Sequence, residues 1–190
     1  MEEIGIAKPS IKAIGGAIGK AIGLPARIVT LPCTMQTLSE INLADESATR
    51  GLGARLAAML RAGDVLALEG DLGAGKTTFA RGLIQTLLGA EEPVPSPTFT
   101  LVQAYQTPET GLTIWHFDLY RLSHPDELVE LGWEDALTDG VALVEWPERA
   151  GEALPESALW VELSEQGDGR TVRLIGNSEW QQRLDNWTGQ

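Results

Sequence analysis

Apolar positions along this chain follow two periods, and organised sequence begins near Thr37. Leu52, Leu56 and Leu60 recur at helical spacing, so a helix capped by Asp45 or Ser47 is predicted to run to about Leu60, with Gly63-Asp64 ending it. Val65-Leu66-Ala67-Leu68 is a short apolar run and reads as a buried strand. A glycine-rich turn from Gly70 to Gly75 follows. Helical spacing then returns from Lys76 to about Leu88, aligning Phe79, Leu83 and Leu87. Pro93, Pro95 and Pro97 break regular structure. Residues 100–105 and 112–118 read as two strands of a hairpin around Thr107-Pro108-Glu109-Thr110-Gly111. Residues 126–137 predict a helix. Val141-Ala142-Leu143-Val144 predicts a second buried strand closing on Glu145. Residues 159–163 and 171–175 flank Gln166-Gly167-Asp168-Gly169, a strong hairpin signal, and Ser178 is the predicted cap of a last short helix.

The first 34 residues have a different character. Ile11, Ile14, Ile18 and Ile22 fall at helical spacing, but Gly15, Gly19 and Gly23 interrupt them, each costing about 1 kcal/mol relative to alanine in a helix. The stretch reads as a poorly ordered extension, translated from a start upstream of Met35, in preference to a membrane-surface or partner-binding helix. It lacks the apolar length and clear cleavage site of a secretory signal. Elsewhere no apolar run reaches the roughly 18 residues that would suggest a membrane span. The remaining residues, 35–190, fit a single domain with a sizeable core.

Charge narrows the function further. The net charge is −13; residues 1–34 carry +2 and the rest −15. That is the wrong sign for a protein gripping a nucleic-acid backbone alone, so any role near RNA is expected to be indirect, through a basic partner. The single cysteine, Cys33, excludes an intrachain disulfide and a cysteine-based zinc site, and suits a cytoplasmic location. Lys76 is the only lysine after residue 20, whereas nine arginines follow Arg27. A lone lysine in that background marks a position that needs a compact ammonium rather than a guanidinium fork.

The neighbours of Lys76 say why. Gly70-Asp71-Leu72-Gly73-Ala74-Gly75-Lys76-Thr77 matches G-x-x-x-x-G-K-[ST], follows a predicted strand and opens a predicted helix, as phosphate binding requires. Glycines let backbone N–H groups converge on phosphate oxygens, and a helix start adds unpaired donors and the positive end of its dipole. Lys76 can bridge β- and γ-phosphates, and the Thr77 hydroxyl can ligate magnesium. Thr78 completes the block. The metal also needs a carboxylate, and two predicted strands end in one, Asp118 and Glu145. With period 2, Ile114, His116 and Asp118 share a face, and ligands of open α/β sheets sit at the carboxyl ends of strands. One acid can hold magnesium while the other orients water; the residues alone do not divide those roles. Thr98, between prolines, stands where a loop could fold over the γ-phosphate, or where a rigid turn has no ligand role. Trp146 reads on general grounds as a packing residue, and Arg121 and Arg149 as surface ion pairs. No lysine is left for the [NT]KxD motif of guanine recognition, so ATP is favoured over GTP.

Four blocks in order, 70–78, Ser96-Pro97-Thr98-Phe99, His116-Phe117-Asp118-Leu119-Tyr120-Arg121-Leu122 and Leu143-Val144-Glu145-Trp146-Pro147-Glu148, resemble the TsaE (YjeE) family over about residues 37–164. That family consists of bacterial ATPases required for threonylcarbamoyladenosine modification of tRNA. The resemblance implies an α/β P-loop NTPase fold with a central mixed sheet flanked by helices and some antiparallel hairpins. It implies that Thr77 and Glu145 ligate Mg2+, that Asp118 is needed for hydrolysis, that Trp146 is functional, and that Glu46 lies near the adenine. It also implies two partners, TsaB and the transferase TsaD, on which ATP binding and hydrolysis would act without this chain performing the transfer. A nucleotide-gated binding module with negligible turnover is the alternative. A P-loop small-molecule kinase is less consistent with the scarcity of basic residues for a lid.

Overall fold

Alternation along the buried strands sorts side chains onto two faces of one sheet, and that sorting decides which helix covers which face. The computed structural model describes residues 35–89, 92–167 and 169–188; the extension expected over 1–34 lies outside them. Strands β1 (Gln36–Leu43), β2 (Val65–Glu69), β3 (Val102–Gln106), β4 (Thr113–Asp118), β5 (Gly140–Glu145), β6 (Leu159–Gln166) and β7 (Gly169–Gly176) form one seven-stranded sheet in the order β1-β7-β6-β2-β5-β4-β3. The central strands β6, β2, β5 and β4 are parallel, while β3 and the β7–β1 pair are antiparallel additions at the two edges. The expected mixed α/β sheet with hairpins is the observed one.

Helices α1 (Glu46–Ala57), α2 (Lys76–Leu88) and α4 (Ser178–Thr188) cover one face, and α3 (Trp133–Thr138) with short 3₁₀ turns covers the other. Leu66 and Leu68 of β2 and Val141 and Leu143 of β5 point to the first face, meeting Leu52, Leu56, Phe79 and Leu83. Val65, Ala67, Ala142 and Val144 point to the second, meeting Phe117, Leu128 and Trp133. Each fully buried Leu or Phe here contributes roughly 1.5–3 kcal/mol. Every strand-end residue with the parity of Leu143 therefore emerges on the α1/α2 side, and Glu145 is one of them. Among the described residues no helix is long and apolar enough to cross a membrane.

Three local expectations are corrected. The edge strand β1 was not anticipated; its residues are mostly exposed or half-buried and lack a clean apolar alternation. The predicted helix over 126–137 is split, because Gly132 adopts φ 80° and separates a 3₁₀ turn (Pro125–Leu131) from α3. The cap of α4 is Asn177 rather than Ser178: its Oδ1 accepts from the N–H groups of Glu179 and Trp180. By contrast Asp45 caps α1 as expected, accepting from Ala48 N–H at 2.8 Å. Helix α4 is fastened at its middle, where Arg183 donates to Asp64 and to the Met59 carbonyl and its guanidinium stacks 3.9 Å over Trp180.

The α1–α2 contact has no room for a side chain at Gly82: a Cβ there would lie 2.1 Å from the Arg50 carbonyl oxygen. Gly82→Ala is therefore expected to push the helices apart and destabilise the chain by about 1–3 kcal/mol. Gly51, on α1, has nothing among the described residues within 4 Å of such a Cβ, and Gly51→Ala is expected to stabilise by about 0.5–1 kcal/mol. Urea unfolding of both variants measures the two shifts, which have opposite sign.

Candidate functional site

The residues 70–75 connect β2 to α2 through a loop that only glycine can form at two of its positions. Gly70 has φ 148°, and a Cβ on it would meet the Leu163 carbonyl oxygen at 2.4 Å; Gly75 has φ 107°, and its Cβ would meet Arg170 at 3.0 Å. The loop is clasped from inside by Lys76, whose Nζ donates to the carbonyls of Gly70 at 2.6 Å and Asp71 at 2.8 Å. It is clasped from outside by Arg170 of β7, whose Nε donates to the Ala74 carbonyl at 2.9 Å. Leu72 points to solvent, 83% exposed, while Ala74 is buried. Gly73, with positive φ, completes the turn, and Thr77 and Thr78 form the first turn of α2.

Two parallel strands deliver carboxylates to the inner side of this loop. Asp118 ends β4 and Glu145 ends β5, and the two are paired in register. Both are 3% exposed. The Thr77 hydroxyl lies 2.8 Å from Glu145 Oε1 and 3.0 Å from Oε2. His116, two residues before Asp118 and so on the same face, sets Nε2 at 2.9 Å from Oε1 of Glu145. Asp118 is engaged differently. Its Oδ2 accepts from the hydroxyls of Ser96 at 2.7 Å and Thr98 at 2.6 Å, and its Oδ1 accepts from Tyr120 N–H. Asp118 thus caps the 3₁₀ turn Leu119–Arg121 while tying down the segment that carries Thr98.

Trp146 follows Glu145 with φ 60° and ψ 52°, a left-handed conformation that costs a bulky residue on the order of 1–3 kcal/mol. That backbone turn places its ring 4.0 Å from Lys76 Nζ and 5.0 Å from the Tyr120 ring. It packs, as general expectation has it, but it packs on the lysine of the loop. Burial pushes the Lys76 ammonium below its ordinary pKa of 10.5, against the pull of Glu145, Asp118, Glu148 and Asp71. One buried ammonium thus faces four carboxylates, and the site as built carries an excess of negative charge.

The sequence-predicted residues 70–78, Thr98, Asp118, Glu145 and Trp146 are gathered around this point. Glu46 is not among them: it opens α1, exposed, with Oε1 3.9 Å from Arg81. The guanidinium of Arg121 lies 4.5 Å over the exposed Phe99 ring at the rim. Three contributors were given no role from the sequence: His116 and Ser96, which lie within the motif blocks, and Arg170, which lies outside them. For His116 the signal was available, since period 2 puts it on the face of Asp118. For Arg170 there was none, because it reaches the loop across 96 residues of sequence.

A divalent cation fits the donors present. Mg2+ takes octahedral oxygens at about 2.0–2.1 Å, so adjacent ligands stand about 2.9 Å apart, and it usually keeps waters and phosphate oxygens for the rest. The Thr77 hydroxyl and the Glu145 carboxylate, within hydrogen-bond distance of one another, supply oxygen donors of the hard kind such an ion takes.

Known proteins share this arrangement of sequence. Residues 43–173 match the family model described as threonylcarbamoyl adenosine biosynthesis protein TsaE. A relative from Rickettsia bellii is 40% identical over 144 residues, spanning 75% of this chain and 99% of its own. Relatives from Haemophilus influenzae (45% over 112 residues, 58% of this chain and 69% of the relative) and Bacillus subtilis (40% over 133 residues, 68% and 81%) carry the same description, tRNA threonylcarbamoyladenosine biosynthesis protein TsaE. Among solved structures, Bacillus subtilis YdiB superposes with a TM-score of 0.63 at 30% identity, covering 79% of this chain and 93% of that one.

On the opposite face of the sheet, Glu69 ends β2 in register with Glu162. Burial pushes its carboxyl above the ordinary 4.5, Glu162 and Glu148 push it further, and Arg173 opposes them. The folded chain therefore keeps this proton to higher pH than the unfolded chain. The group's contribution to stability is complete below pH 4.5 and is lost as pH rises through the raised value. Glu69→Gln is expected to raise Tm near neutral pH, with the gain vanishing as pH falls to 4.5 and below; melting curves across that range measure it.

Proposed function

The chain belongs to the TsaE family and has its place in tRNA threonylcarbamoyladenosine biosynthesis, and on that premise we propose that it is an ATPase that binds ATP with Mg2+ and acts on the TsaB–TsaD complex. The observation that carries this reading is the convergence of a glycine loop, one buried lysine and the Thr77–Glu145 oxygen pair at the ends of parallel strands. The excess of carboxylate around Lys76 supports a divalent cation as part of the ligand, because a bare triphosphate would meet repulsion from Glu145, Asp118 and Glu148.

In this reading each residue has a distinct task. The loop N–H groups from 70 to 76 and the start of α2 hold the phosphates. Lys76 leaves the Gly70 and Asp71 carbonyls, or shares itself with them, to meet β- and γ-phosphate oxygens. Thr77 and Glu145 would hold the metal, and the chemistry it would supply is positive charge beside the phosphates. Asp118 orients the attacking water. Trp146 covers Lys76 and limits water around it. Glu46, at the start of α1, is kept as a residue near the adenine on the family resemblance alone. The region 35–190 is the catalytic domain.

Partner action is supported by chemistry rather than by contact. The net charge of −13 disfavours direct tRNA binding, so tRNA is reached through the partners, in the cytoplasm. Leu72 and Phe99, 83% and 84% exposed at the mouth of the site, offer apolar contacts to a protein. The commitment of Asp118 Oδ2 to Ser96 and Thr98 favours a second reading, a nucleotide-gated module whose turnover is negligible while those bonds persist.

Calorimetry with ATP and Mg2+ tests the nucleotide site. Lys76→Ala is expected to weaken binding by more than about 100-fold, roughly 2.7 kcal/mol; unchanged affinity removes the phosphate-site assignment. Asp118→Ala is expected to keep nucleotide affinity and to lose phosphate release measured without any added acceptor. Full phosphate release by that variant would take Asp118 out of the mechanism. Capture of TsaB and TsaD from a bacterial lysate, with and without ATP, tests the partners; their absence in both conditions rejects them.

A further inference from the structure

Glu145 is held from two sides. Thr77 approaches it from α2, and His116 approaches it from β4. The imidazole is wholly buried, flanked along its face by Ile114 and Asp118, and Nε2 lies 2.9 Å from Glu145 Oε1. Its other nitrogen, Nδ1, is buried with no hydrogen-bond partner among the described residues. A carboxylate oxygen only accepts, so the hydrogen of this contact is carried by Nε2. An unpaired buried polar atom is a cost that an apolar side chain of similar size would avoid in the same space. What the imidazole supplies in return is a donor fixed to a central strand. Glutamate is long and flexible, and a carboxylate held by a hydroxyl alone can turn away from it.

The geometry points to His116 as a positioning residue: its Nε2–H fixes the Glu145 carboxylate against the Thr77 hydroxyl, so the two stay together as oxygen donors for a divalent cation. This inference rests on the Mg2+–nucleotide reading above. Two features separate it from a packing role. The contact is made to one carboxylate oxygen, Oε1, and leaves Oε2 to Thr77 alone. It also joins neighbouring strands whose end residues, Asp118 and Glu145, are in register, so the donor cannot drift relative to the acceptor. Partners of this kind behind a ligating carboxylate typically change metal affinity by about 10–100-fold.

The test uses the full chain, with Mn2+ as the metal probe and ADP as the nucleotide. His116→Leu keeps volume and removes the donor; His116→Gln returns an N–H donor near the position of Nε2. In His116→Leu, ADP affinity in the presence of a chelator is expected to stay at the parent value, while Mn2+ affinity of the ADP-bound chain, read by electron paramagnetic resonance, falls about tenfold or more. His116→Gln is expected to recover most of that loss. Parental Mn2+ affinity in the leucine variant overturns the inference, as does an equal fall in metal-free ADP affinity. An unmutated chain that binds no ADP at all overturns the nucleotide reading instead. Should the leucine variant not fold, nitrogen NMR of the parent decides: hydrogen on Nε2, with its resonance moving on addition of Mg2+ and ADP, supports the inference, and hydrogen on Nδ1 refutes it.

Discussion

A buried glutamate is the constraint on which this site depends. Glu145 is 3% exposed at the end of a strand whose six residues are all buried, and removing a carboxylate from water is costly unless donors replace the water. Thr77, His116 and the neighbouring ammonium of Lys76 replace it. Thr77 and Lys76 come from the first turn of α2 and His116 from β4, so the carboxylate can be satisfied only when the sheet and the helix that follows β2 are assembled together. The fold and the site are thus specified by the same contacts.

The loop obeys the same logic at the level of backbone. Gly70 lies against the Leu163 carbonyl and Gly75 against Arg170, so β6 and β7 press on the loop from the side opposite Lys76. A loop squeezed between a lysine inside and an arginine outside would have little freedom left to lose on binding the anion proposed for it, and preorganisation of that kind improves affinity by lowering the ordering cost. Trp146 carries the compensating strain. Its left-handed backbone is tolerated because the ring finds both Lys76 and Tyr120.

What could be read from the sequence follows from how local each signal is. The run Val65 to Leu68, the glycine loop and the spacing of Phe79 and Leu83 are consecutive or helically periodic, and they predicted β2, the turn and α2 closely. Asp45 announced its cap because capping is a three-residue interaction. The strand β1 gave little sign because it lies on an edge, where half its side chains meet solvent and apolar alternation is weak. The split at Gly132 was masked by a helical pattern that continues through it, and the cap at Asn177 lost to an adjacent serine of similar propensity. For the site, Lys76, Thr77, Asp118 and Glu145 were visible as motif or strand-end residues. Ser96, His116 and Arg170 act through partners 22, 29 and 96 positions away, and pairing at that range is a product of topology.

Topology also explains why Asp118 and Glu145, equivalent in sequence, are not equivalent in structure. Both end parallel strands, in register, on the same face. Glu145 has α2 on one side and β4 on the other, so its oxygens meet fixed donors. Asp118 is one strand nearer the edge, and its outer neighbour is β3, which is entered from the segment 96–101 rather than from a helix. That segment is stitched to the end of β4 by the Ser96 and Thr98 hydroxyls and by the Asp118 N–H bonded to the Leu101 carbonyl. Phe99 sits in the middle of it, exposed under Arg121. Thr98 and Ser96 precede Phe99 by one and three residues, so a push on Phe99 from outside would act on both side-chain donors of Asp118 Oδ2 through that one short stretch of backbone. On the proposed function, the acid between α2 and β4 would be the ligand for a metal, and the acid bonded to the loop 96–101 would be the group that changes its hydrogen bonds during a reaction cycle. The sheet order thus supplies a physical reason for assigning the two carboxylates the two roles that the motif alone left undivided.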